Sequence, residues 1–201
     1  SGSLGQLVEI ALVTAFRLAG YRPVILTDYD RWMEAYYCEI GVQEHLYWDD
    51  CFRHVPMAEA VHLMASIGSF EQLIKTDYCG ARVGKYAAST VLRHLRVGRL
   101  DLSDRTVRDA LLPFLHRAMC YARTAEAIVE TLRPQLVLSV DTGYSPRGEL
   151  FDLCLAAGID TITWNAAHRN NQLMLKRYSR GNREVHPASL SASTWGELQA
   201  K

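Results

Sequence analysis

The sequence lacks the features that mark several large classes of protein. Its 22 Lys and Arg residues balance 22 Asp and Glu residues, so no net charge draws the chain to nucleic acid or to an anionic membrane. No apolar run reaches the length of a membrane span, and no signal peptide is visible. Aromatic residues are not interleaved with basic residues in any nucleic-acid-binding motif. These absences predict a cytoplasmic protein that does not bind nucleic acid.

Cysteine spacing also excludes some chemistry. The five cysteines are odd in number and form no C-x-x-C pair. Several lie in apolar helical surroundings, which is typical of reduced core thiols in a cytosolic protein. The sequence therefore predicts neither disulfides nor a metal site.

The chain is organised around one strand-helix-strand pattern. The β-prone run 136–140 predicts a buried strand, and a helix follows from Pro146 with Ser145 as its N-cap and Gly158 as its end. The run Thr161–Trp164 predicts the next strand. This spacing indicates a βαβ unit with parallel strands.

The rest of the chain extends this pattern into a predicted fold. Helical spacing from Leu4 ends at Gly20 and is followed by a strand at 23–27. The segment from about 56 to 133 predicts only helices. We therefore expect an α/β fold, a Rossmann-like three-layer domain with a parallel sheet over residues 1–190 and a large helical insertion over about 56–133. Either a strand preceding Leu4 is missing, or the domain departs from the simple scheme. Residues 191–201 predict the start of a linker or helix toward a further domain.

Polar side chains follow both strands of the βαβ unit. Ligands of open α/β sheets bind at the carboxyl ends of the strands, where helix N-termini attract anions. The residues that we expect at this rim are Asp141, Tyr144, Ser145, Arg147, Asn165, His168 and Arg169. For Asp141 the alternative is plain turn chemistry.

A second candidate anion site opens the helix near residue 86. Arg82 and Lys85 precede an apolar stripe, and their charges could supply an anion-binding helix start. The alternative is a solvated basic face. The glycine spacing does not fit a phosphate-binding P-loop.

Several stretches together resemble one known family. The stretches KYAASTVLRHLRVGRLDL and DTGYSPRGELFDLCLAAGIDTITWNAAHR are similar to the N-terminal, acceptor-side domain of bacterial GT-B glycosyltransferases of surface and capsular polysaccharide synthesis. The resemblance covers roughly residues 4 to 200. It implies a saccharide or lipid-linked saccharide acceptor, and peripheral association with membrane machinery. It also implies a nucleotide-sugar donor held by an absent C-terminal domain, with no cofactor and no metal.

The resemblance also implies roles for individual residues. Gly5 would lie in the first strand-to-helix turn. The central acceptor-side loop would carry Asp141, Tyr144, Ser145, Arg147 and Glu149, with His168 and Arg169 on the next loop. A general base would be sought among Asp141, Glu149 and His168.

Two other functions stay open from the sequence. One is a non-catalytic saccharide-binding or scaffold module. The other is a domain of a nucleotide-sugar epimerase, which would act on the nucleotide sugar without an acceptor. Part of a glycosyltransferase, inactive by itself, is the function that the resemblance favours.

Overall fold

The computed structural model describes residues 4–28, 31–167 and 172–184, together with Gln199. The fold is mixed α/β. The chain divides into two compact units, Ser1–Phe52 and Arg53–Lys201, and each is described by itself.

The first unit is a small α/β arrangement. It contains α1 (Leu4–Leu18), β1 (Val24–Thr27), α2 (Arg31–Glu39), β2 (Glu44–Tyr47) and the short α3 (Trp48–Cys51). The strands are parallel, with Leu26 opposite Leu46. Its core centres on Met33, Tyr37 and Val42. Gly20 and Gly41 follow α1 and α2 at positive φ, the conformation in which glycine commonly ends a helix.

Helices fill the first part of the second unit. They are α4 (Met57–Ala65), α5 (Phe70–Lys75), α6 (Val83–Leu95) and α7 (Arg105–Leu132). Asp104 caps α7 because its Oδ1 accepts the N–H of Thr106 at 2.7 Å. The helix begins before Pro113 and continues through it, although proline cannot donate the usual backbone hydrogen bond. A fully buried stripe that includes Leu111, Leu115 and Ala118 stabilises it.

A three-stranded sheet follows the helices. Its elements are β3 (Leu136–Ser139), α8 (Arg147–Ala156), β4 (Asp160–Ala166) and β5 (Leu173–Tyr178), with a 3-10 turn at Arg180–Asn182. β3 and β4 are parallel around α8, as the βαβ pattern predicts, whereas β5 pairs antiparallel with β4. Across the described ranges the strands thus form one two-stranded parallel sheet and one three-stranded mixed sheet, without a continuous Rossmann sheet.

Two sequence-based details of this unit are wrong. β3 is half-buried along its whole length, not fully buried, because small sheets cover their strands incompletely. The cap of α8 also differs, since Pro146 is the N-cap and the helix begins at Arg147. Ser145 directs its hydroxyl to a side chain and not to a backbone N–H.

Helices α6 and α8 approach closely at a glycine. A Cβ at Gly148 would overlap the ring of Tyr86, which is 1% exposed. A Cβ at Gly84 would likewise overlap the backbone carbonyl of Leu73, which belongs to α5. Close packing of α6 therefore depends on two positions without a side chain.

The cysteines are free thiols, with Cys120 and Cys154 buried in α7 and α8. In the part of the chain that the structure describes, no helix has the length and apolar character needed to cross a membrane.

Candidate functional site

The loop between β3 and α8 is ordered by Asp141. Its Oδ1 accepts the N–H of Gly143 at 2.7 Å, and its backbone carbonyl accepts the Ser139 hydroxyl at 2.9 Å. The N–H of Gly148 then closes the loop on the Tyr144 carbonyl at 2.8 Å. Asp141 thus stabilises the turn through its side chain, as its sequence context allows, and its Oδ1 is occupied by this hydrogen bond.

Glu149 is a fully buried acid in the first turn of α8. Its side chain is 0% exposed, and its Oε1 accepts the hydroxyl of Ser145. Its Oε2 has no hydrogen-bond partner within the described ranges. Burial raises the pKa of Glu149 to about 8, with a smaller contribution from Asp152, while hydrogen bonds from Ser145 and from its own backbone N–H oppose the shift. At neutral pH this predicted base therefore carries its proton.

Tyr144 and Arg147 are exposed on the same loop. The guanidinium of Arg93, from α6, lies 5.6 Å from the centre of the Tyr144 ring, a cation-π distance. Arg147 opens α8 and projects into solvent. The loop thus presents an aromatic ring and a cation beside the Ser145–Glu149 pair.

Arg82 and Lys85 lie at the start of α6, where both pair with carboxylates. The Arg82 N–H donates to Asp152 Oδ2 at 2.9 Å, and its guanidinium pairs with Asp152 and Glu184. The Lys85 Nζ lies 3.5 Å from Glu184 Oε2. The N–H groups of Val83, Gly84 and Lys85 all reach backbone carbonyls. These backbone N–H groups at the start of α6 are therefore occupied, and the two cations take part in ion pairs. This differs from the open anion-binding helix start that the sequence predicts.

Asp152 is the centre of that network, and sequence reasoning missed it. It is 1% exposed, and Arg82 and Arg183 both pair with it. Burial, the charge of Asp152 and a hydrogen bond to its carboxylate raise the pKa of Tyr86 well above its usual value. A signal was available, because Asp152 is an acid between the apolar residues Phe151 and Leu153. Arg183 and Glu184 had no comparable signal, since both follow β5 in a polar turn.

The remaining predicted site residues lie elsewhere. Asn165 is half-buried inside β4, opposite Met174, because β4 extends beyond the predicted strand. Gly5 is the second residue of α1, in the first unit, and not part of a turn. His168 and Arg169 lie outside the described residues.

In the described part of the chain, no group of three or more His, Cys, Asp or Glu side chains could hold a metal ion. Two polar features therefore define the candidate site. They are the Ser145–Glu149 pair with its loop, and the Asp152 network beside it on α8.

Comparisons with family models, with curated proteins and with solved structures find no match to this chain.

Proposed function

We propose that this chain is the acceptor-binding domain of a glycosyltransferase of the GT-B type. Its parallel βαβ unit supports a Rossmann-like architecture. The acceptor would be a saccharide or lipid-linked saccharide. The observation that carries the proposal is the Ser145–Glu149 pair, at the carboxyl end of β3, where α/β folds bind ligands. The nucleotide-sugar donor, a cytoplasmic location and association with membrane machinery belong to the same proposal.

Glu149 supports the loop from within the protein. Its fully buried carboxyl accepts the hydroxyl of the half-buried Ser145. The oxygen of Ser145 can still accept a hydrogen bond from a saccharide hydroxyl. Tyr144 and Arg147 supply exposed contacts on the same loop.

The protonation of Glu149 divides the roles of the candidate bases. A group that holds its proton at neutral pH cannot accept one from the acceptor hydroxyl. Glu149 then acts through Ser145, whose hydroxyl it accepts. Asp141 is the candidate base among the described residues, held in place through its Oδ1 by Gly143.

One observation favours a non-catalytic saccharide-binding module as the second candidate. Glu149 holds its proton at neutral pH, so this buried acid cannot serve as a general base. The two candidates differ in Asp141. Replacing it by Asn should abolish transfer by an assembled glycosyltransferase, whereas saccharide binding should persist under both proposals.

Saturation-transfer NMR with oligosaccharides and, separately, with nucleotide sugars tests the proposal. Oligosaccharides should bind the unaltered protein, and Tyr144→Ala and Arg147→Ala should each weaken binding roughly tenfold, about 1.4 kcal/mol. Arg105→Ala is the matched control, because that side chain is 93% exposed on α7. Normal melting with unchanged saccharide affinity in both loop variants contradicts the proposal. Tight binding of nucleotide sugars alone also contradicts it.

A further inference from the structure

Three cationic side chains converge on one exposed carboxylate. Glu184 pairs with Arg82, lies 3.5 Å from the Nζ of Lys85, and lies 3.8 Å from the Nε of Arg183. The three cations come from the entry to α6 and from the turn after β5, so the fold gathers them from distant parts of the sequence. Their side chains are only 20%, 38% and 24% exposed, whereas that of Glu184 is 64% exposed. The acid is thus the most accessible member of the group.

Positive charge is in excess in this group. Asp152 pairs with Arg82 and, through Nη2, with Arg183, so two carboxylates face three cations. The Nε atoms of Arg82 and Arg183 lie 3.5 Å and 3.8 Å from carboxylate oxygens, which is longer than a good hydrogen bond. Guanidinium groups bind phosphate oxygens through paired N–H donors. A phosphate would supply more acceptor oxygens and more negative charge than the single carboxylate of Glu184.

The two carboxylates also differ in how firmly they are held. Asp152 is buried inside α8 and accepts the backbone N–H of Arg82, which fixes it. Glu184 lies just after the 3-10 turn, and its side chain is largely in solvent. A rotation of the Glu184 side chain would break its contacts with the three cations, and it requires no change to α6 or α8.

We propose that Arg82, Lys85 and Arg183 form a binding site for the phosphate group of a ligand, and that Glu184 occupies this site until the phosphate displaces it. The ligand is a phosphate monoester or diphosphate. The proposal does not rest on the proposed saccharide function, because none of these four residues belongs to the loop at 141–149.

Isothermal titration with inorganic pyrophosphate tests the site in the full chain. Glu184→Gln removes the competing charge, so it should bind pyrophosphate about tenfold more tightly than the unaltered protein. Adding Lys85→Ala to Glu184→Gln should cancel that gain. Glu126→Gln is the matched control, because Glu126 also forms an ion pair, with Arg123 of α7 at 2.8 Å. The Glu126→Gln protein should bind pyrophosphate with the same affinity as the unaltered protein.

Two sources of phosphate are distinguished by a second arm. Phosphatidylcholine vesicles with and without phosphatidic acid are sedimented with Glu184→Gln and with the double variant. Pyrophosphate binding without vesicle binding assigns a soluble ligand, and binding only to phosphatidic acid vesicles assigns a lipid headgroup. Both results support the site when they depend on Lys85. The proposal is overturned if Glu184→Gln gains no affinity for either probe, or if the gain survives Lys85→Ala in protein that melts normally.

Discussion

Glu149 shows how one residue ties folding to protonation. A fully buried carboxyl avoids the large cost of a buried charge by keeping its proton. In the unfolded chain the same group has an ordinary carboxyl pKa and is ionised at neutral pH. The folded state therefore binds one more proton than the unfolded state between about pH 4.5 and pH 8. Because of this difference, the contribution of Glu149 to stability is full below that window and is lost as the pH rises through it.

Replacing this residue should remove the pH dependence. The Glu149→Gln protein, whose amide resembles the protonated acid, should be as stable as the unaltered protein near pH 5. It should be more stable near pH 8, by roughly 3 to 4 kcal/mol, the free energy that a pKa of about 8 contributes between these two pH values. Urea unfolding at both pH values measures the difference. Glu130→Gln, at an exposed position of α7, is the control and should follow the unaltered protein. Parallel stability curves for Glu149→Gln and the unaltered protein would show that Glu149 is ionised in the fold.

At the scale of secondary-structure elements, the packing of helix α6 against helix α8 positions the site. Tyr86 packs its ring against Gly148, which directly precedes Glu149, and Asp152 follows one turn later on α8. The position of both acids therefore depends on how closely the two helices approach. A side chain at this contact would push α8 away from α6.

The contact at Gly148 gives a prediction for the element. Gly148→Ala should destabilise the protein by about 1 to 3 kcal/mol, because the new methyl group overlaps the Tyr86 ring. Gly98→Ala is the control, since no atom lies within 4 Å of a Cβ at that position. Thermal unfolding measures both variants. Equal melting temperatures for Gly148→Ala and the unaltered protein would show that the helices are not packed this closely.

At the scale of the whole molecule, the second unit contains every element of the candidate site. Helices α4 to α8 and the mixed sheet all belong to Arg53–Lys201. Its buried residues include Leu115, Ala118 and Ala122 of α7, all 0% exposed. This unit has a core of its own.

A fragment of residues 53–201 should therefore fold. We expect a helical circular dichroism spectrum and a cooperative thermal transition. Leu115→Ala should destabilise that fragment by about 2 to 5 kcal/mol, whereas Leu95→Ala, at a position 39% exposed, should have a much smaller effect. A fragment without helical signal or without a cooperative transition would contradict the division into units.

Local signals predicted the elements better than they predicted the site. The βαβ order depends on residues close in sequence, so strand-forming runs and turn chemistry revealed it. The antiparallel pairing of β5 depends on a contact across a loop that no local pattern encodes. The ion pair between Arg82 and Glu184 connects residues that are even further apart in the sequence. Sequence reasoning found the cations Arg82 and Lys85 but could not show which acids neutralise them.

The protonation of Glu149 could not be predicted from its position alone. In the sequence it is an acid in the first turn of a helix, which normally favours the ionised form. Only the packing around it shows that burial outweighs that preference.

The antiparallel strand β5 also bears on how the protein avoids aggregation. Among the described strands, β5 pairs only with β4, so its other edge offers backbone groups that a second chain could pair with. Leu173 and Leu175 on this strand are 42% and 58% exposed, and exposed apolar side chains on an edge strand favour association with another chain. The next two residues are Lys176 and Arg177, and charges on an edge strand discourage pairing with another chain. Positive charge at these two positions would therefore oppose pairing of β5 with a second chain.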